Sequence, residues 1–129
     1  MHSEVVREWL QKAEEDYDAV VKLEPAETPC VICFHCQQCI EKYLKAFLTE
    51  RGEIPPQTHN LIRLNSTATE YEKSLDAIYD FLEELNPYSV AIRYPGMSVT
   101  SEDAERAIEL MNNLRLRLKD LIDKVTNSK

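Results

Sequence analysis

The stretch PCVICFHCQQCIEKYLKAFLTER, from Pro29 to Arg51, has no glycine and no proline after its first residue. Thr28 supplies the expected cap, and Pro29 occupies the first helical position, where a missing N–H costs nothing. Gly52 follows and supplies a stop. One long helix is predicted. It carries all four cysteines of the chain, Cys30, Cys33, Cys36 and Cys39, at strict intervals of three. On a helical wheel with Cys36 at zero, Ile32, Ile40, Tyr43 and Phe47 fall within about 40° on either side, and Cys33 and Cys39 at roughly plus and minus 60°. Cys30 lies about 120° away, so the four thiols fan across half the circumference and no single tetrahedral ion can use them all without unwinding the helix.

Cysteine pairs that bind zinc or iron–sulfur clusters usually sit on loops with glycine or proline between the ligands. Here the intervening pairs are Val-Ile, Phe-His and Gln-Gln. Free cysteine is among the most buried residue types and packs as a small apolar group. The sulfurs therefore read as core, and no metal site is assigned. Were one thiol reactive, Cys30 near the helix N-terminus would be the candidate.

Only two glycines and six prolines in 129 residues, against 29% charged residues, favour helices over a turn-rich β architecture. With 43% apolar residues the chain can bury a core as one domain over residues 1–129. Ser3 caps a first helix with Val6, Trp9, Leu10, Ala13, Tyr17, Val20 and Val21 at three-and-four spacing and Glu14, Glu15 and Asp18 opposite. After the cysteine helix, Thr58-His59-Asn60 opens a short amphipathic piece through Leu61, Ile62 and Leu64, with His59 a candidate cap, and Ser66–Thr69 reads as an irregular link. A third long helix is expected from about Glu70 to Leu85, ended by Asn86-Pro87. Residues 88–99 are punctuated by Pro95-Gly96 and resist helical assignment. A last helix follows the cap Thr100-Ser101-Glu102-Asp103, its stripe running from Ala104 to Val125. The expected fold is all-α, an up-and-down bundle of four to five helices.

The opening residues lack the apolar core and small-residue cleavage site of a signal peptide, and no apolar run approaches the roughly 20 residues that span a bilayer. A cytoplasmic protein with reduced thiols and no membrane partner is expected. A net charge of −8 opposes sequence-independent attraction to nucleic acid phosphates, and Arg115, Arg117, Lys119 and Lys124 read as a solvated helix face. On the second helix His35, Gln38 and Lys42 form a polar stripe outside the apolar arc, with Phe34 off the main face beside them. The stripe reads either as a solvated polar face with one incidental aromatic or, because exposed apolar groups beside polar ones often mark contact surfaces, as a candidate homodimer interface or partner groove.

The run CFHCQQCIEKYLKAFL, with PQTHNL downstream, AIRYPG before the last helix and the opening WLQKAEEDYDAV, resembles the HEPN domain family of prokaryotic proteins over nearly the whole chain. In that family the positions of Cys36 and Cys39 are commonly alanine, in keeping with packing. The resemblance implies a helical bundle that dimerises. It also implies pairing with a minimal nucleotidyltransferase, often as toxin and antitoxin, and in many members a metal-independent ribonuclease built on an arginine followed four to six residues later by histidine. This chain departs from that motif. After Arg93 it reads Tyr-Pro-Gly-Met-Ser-Val-Thr, and Arg51 and His59 are separated by seven residues that include Pro55-Pro56.

A ribonuclease without metal needs an imidazole to move the 2′-hydroxyl proton and a cation to stabilise the phosphorane. His35 and Arg93 are the catalytic candidates; His59 is a further imidazole and His2 lies at a terminus expected to fray. Arg93, Tyr94, His35, Gln38 and Lys42 are the candidate ligand-binding residues, with Tyr94 stacking on a base and Arg93 taking a phosphate. The expected function is thus a non-catalytic or weakly catalytic binding module that forms a homodimer and pairs with a minimal nucleotidyltransferase or holds a nucleotide-like ligand, with no cofactor. The alternatives are an RNA endonuclease with a rearranged site and, third, a thiol or metal sensor.

Overall fold

The computed structural model describes residues 2–90, Gly96 and 98–128, with side chains through Lys124. Among them the regular elements are all helical: α1 (Glu4–Lys22), α2 (Pro29–Glu50), α3 (Leu61–Ala68), α4 (Tyr79–Leu85) and α5 (Ser101–Ser128). Two short 3-10 segments, Lys73–Ile78 and Asn86–Ser89, flank α4.

α2 is the axis of the bundle. It packs along α1 on one side and α5 on another, and against α3 and the Asn86–Ser89 turn at the remainder. Ile32, Cys33, Cys36, Cys39, Ile40, Tyr43, Leu44, Ala46, Phe47 and Leu48 are all fully buried. The three sulfurs point inward as the wheel predicts, and Cys30 at the edge of the arc is half-buried. Burial pushes the Cys36 and Cys39 thiols far up from their ordinary range, with the neighbouring cysteines adding to the effect at Cys36 and Asp16 and Glu14 at Cys39. These are packing thiols. No group of three or more His, Cys, Asp or Glu side chains able to hold a metal occurs among the described residues.

The ends of the long helices follow sequence-level chemistry. The Ser3 hydroxyl accepts from the Val6 N–H at 3.2 Å. At the C-terminus of α2, Gly52 takes φ +84°, and the N–H groups of Gly52 and Glu53 bond the Thr49 and Leu48 carbonyls at 3.0 and 2.9 Å. This is the Schellman pattern, which requires the left-handed glycine. Before α5, Thr100 Oγ accepts from the Asp103 N–H and the Asp103 carboxylate accepts from the Thr100 N–H, both at 3.0 Å, forming a reciprocal box. From there Ala104, Ala107, Leu110, Met111, Leu114, Leu118 and Ile122 bury one stripe.

Several expectations are corrected. Thr28 stands at the N-cap of α2 without a capping bond, its hydroxyl donating instead to the Glu24 carbonyl at 3.5 Å. The short piece after His59 extends through Ser66–Ala68. Asn60 caps it, not His59: its Oδ1 accepts from Ile62 and Arg63 N–H at 2.9 and 3.3 Å. Asn86 Oδ1 takes the Leu61 N–H at 2.8 Å, so the first three amides of α3 are all satisfied. The third long helix divides into a 3-10 turn and the short α4, with Glu72 capping the turn through Ser74 N–H. Asn65, buried at 3% exposure, donates to the Leu75 carbonyl at 3.0 Å and pins that turn beneath α3. His2 is not frayed, since its two ring nitrogens lie 3.0 Å from Glu50 and 3.2 Å from Asp123.

Candidate functional site

Because α2 is walled on nearly every side, its polar residues cannot all face solvent, and buried ones require partners. Two carboxylates organise them. Asp16 lies on the core side of α1, three residues after Ala13 and four before Val20, and is buried at 6% exposure. Its Oδ1 accepts from His35 Nδ1 at 2.8 Å and its Oδ2 from Lys42 Nζ at 2.5 Å. A carboxylate oxygen only accepts, so Nδ1 of His35 carries the proton and Nε2 is left as the open nitrogen. Phe34 stands edge-on to the His35 ring with centroids 5.3 Å apart. Phe34 itself is half-buried.

Glu41 is the second carboxylate, 3% exposed on α2 itself. It accepts from Lys45 Nζ at 3.1 Å, one turn along, and from His59 Nδ1 at 3.0 and 3.2 Å. Gln38 reaches Glu41 at 3.3 Å and Gln37 at 2.7 Å, while Gln37 donates to the His59 carbonyl at 2.9 Å. The loop after Pro56 is thereby moored to α2 through both the backbone and the ring of His59.

The polar stripe therefore divides. His35 and Lys42 meet on Asp16, whereas Gln38 belongs with Glu41 and His59. Arg93 and Tyr94 lie outside the described residues. Sequence reasoning missed Asp16, Glu41 and Glu14, though Asp16 sits on the same helical stripe as Ala13 and Val20, a signal available at the outset.

Glu14 belongs to a third cluster at the crossing of α1, α2 and α5. Arg115 grips its carboxylate with Nε at 2.8 Å and Nη2 at 2.5 Å, and lies 3.9 Å above the Tyr17 ring. The Tyr43 hydroxyl donates to the same carboxylate. Arg115 is thus turned inward, and the expected solvated face loses one of its four cations. Arg115 holds Glu14 below the usual carboxylate range, with Tyr43 adding to it. Burial, reinforced by that carboxylate, pushes the Tyr43 phenol far up.

The HEPN domain family model matches residues 6–121. The chain belongs to the HEPN domain family. The crystal structure of TT1696 from Thermus thermophilus superposes on this HEPN domain with a TM-score of 0.81 at 20% identity, covering 92% of this chain and 99% of that one. ST0689, an archaeal HEPN homologue, superposes with a TM-score of 0.73 at 22% identity over 91% of this chain and 97% of its own. At those identities the likeness establishes the shared all-helical fold. No curated protein matches the sequence. Among the described residues no helix of the domain is long and apolar enough to cross a membrane.

Proposed function

We propose that this HEPN domain is a binding module that forms a homodimer and pairs with a minimal nucleotidyltransferase or holds a nucleotide-like ligand, in a cytoplasmic system of toxin–antitoxin type. The observation that carries the non-catalytic reading is the capture of His35 and Lys42 by one buried carboxylate. Asp16 neutralises the lysine and fixes the imidazole, so the pair acts first as a brace between α1 and α2. Among the described residues no arginine hydrogen bonds or ion-pairs with His35 or His59, and Arg106 and Arg115 are each taken by a carboxylate. Family resemblance supports the pairing partner. Arg93, Tyr94, His35, Gln38 and Lys42 remain the proposed ligand contacts.

The same geometry favours one second reading. His35 keeps Nε2 open beside the Lys42 ammonium, an imidazole next to a cation, as proton transfer at a phosphodiester requires. Two measurements decide between them. Co-purification and light scattering with a nucleotidyltransferase encoded next to this chain should give a stoichiometric complex, and incubation with RNA should leave it intact. RNA cleavage that disappears in His35→Ala establishes the ribonuclease instead. A homodimer-free monomer that binds no such partner removes the module reading.

A further inference from the structure

A groove of about 410 Å³ opens where the start of α1, the end of α2 and the loop at 53–57 meet, with no residue of the Asp16 cluster in its walls. Its apolar lining is Val5 and Trp9, one turn apart on a face of α1, with Ile54, Pro55 and Pro56 from the loop. Ile54, at 89%, is the most exposed large apolar side chain among the described residues, and Val5 is exposed as well.

The charged groups of the groove are unequally committed. Lys45, largely buried, gives its ammonium to Glu41 at 3.1 Å, and Glu41 is buried too, so that pair is compensated within the fold. Glu53 has no such cation. Its half-buried carboxylate accepts from the Tyr71 hydroxyl, a neutral donor, and forms no ion pair among the described residues. A carboxylate has two oxygens that accept several donors, so acceptor capacity remains. The groove thus sets one uncompensated negative charge beside an apolar lining. On the adjoining surface of α1 the exposed Glu8 and Glu15 outnumber Lys12, and the chain as a whole stands at −8. That field repels an anion, and a second copy of this chain at this face, and draws a cation.

We propose that this groove docks a basic, leucine-bearing segment of another protein, its apolar side chain laid against Val5, Ile54 and the two prolines and its lysine or arginine paired with Glu53. Lining and charge select together. A wholly apolar segment would desolvate Glu53 without giving it a cation, and a basic segment with no apolar anchor would leave Ile54 and Val5 in water.

Trp9 is the chain's one tryptophan, so its indole N–H gives a single resonance that reports on the lining. Titrating acetyl-Lys-Leu-Leu-Lys-amide into the full chain should shift that resonance saturably, and added sodium chloride should weaken the binding. Acetyl-Glu-Leu-Leu-Glu-amide and acetyl-Lys-Ser-Ser-Lys-amide should not saturate at the same concentrations. Glu53→Gln keeps an acceptor for Tyr71 and removes the charge, and should weaken the basic peptide about threefold and flatten its salt dependence. Ile54→Lys, at a rim position that bears little on folding, should weaken it about tenfold. Absence of a saturable shift, equal binding of either control peptide, or unchanged affinity in either variant overturns the proposal. So does a shift that grows with protein concentration alone and vanishes in Ile54→Lys, because a second copy then occupies the groove.

Discussion

Replacing Cys36 by serine and by alanine separates a packing thiol from a polar or reactive one. The side chain is fully buried on the axis of the bundle, with Cys33 and Cys39 flanking it and burial opposing thiolate formation. Alanine removes one sulfur atom and leaves a void smaller than a leucine-to-alanine change, for a cost of about 1 kcal/mol. Serine nearly keeps the shape but brings a hydroxyl into a site that provides sulfur and hydrocarbon, where an unpaired hydroxyl costs on the order of 1–3 kcal/mol. A bond back to the Ile32 carbonyl, four residues earlier, recovers part of that. Serine should therefore be the worse substitution by about 1 kcal/mol, a gap of roughly 3–5 °C in Tm for a domain of this size. Urea denaturation at neutral pH under reducing conditions measures it, with unchanged m-values confirming that the native state is the same. Serine equal to or better than alanine would refute the reasoning, because it would mean that polar partners surround the position.

Glu14 provides a pH test. Its carboxyl is held below the ordinary 4.5 chiefly by Arg115, so the stability it contributes is fully present above that value and lost as pH falls through the lowered folded-state value. The stability gap between wild type and Arg115→Met should be present at pH 7 and shrink below pH ~4.5, read from urea midpoints across that range; a gap independent of pH contradicts this. Asn60→Ala should cost about 1 kcal/mol and speed hydrogen exchange at the Ile62 and Arg63 amides, which lose their acceptor. Unchanged exchange there would show that the cap is dispensable.

The long helices were legible because their signals are local and redundant. α2 has proline at its start, glycine at its end and an apolar arc between, and α5 begins with a threonine and an aspartate spaced to bond one another. The region from Ser66 to Leu85 was less legible. Its polar run Ser66-Thr67-Ala68-Thr69 lacks the strong stripe that marks a helix, yet Asn60, Asn65 and Asn86 hold α3 and the following turn through bonds that span ten to twenty-six residues. Such partners are set by tertiary placement and cannot be read from periodicity. The candidate site was half legible for the same reason. His35 and Lys42 share a face at the expected spacing, but the carboxylate that joins them comes from another helix, and Gln38 turns to a different one. Arg115 looked like one more surface cation until Glu14 and Tyr17 gave it a seat.

The placement of α2 as a rod enclosed by its neighbours has a consequence for how the domain comes apart. No outer layer can peel away and leave it ordered, because each removal strips one flank of the rod and wets side chains that have no polar partners. Its central amides, around Ile40 to Leu44, should open to solvent only when the whole domain does, which makes them a clock for global unfolding.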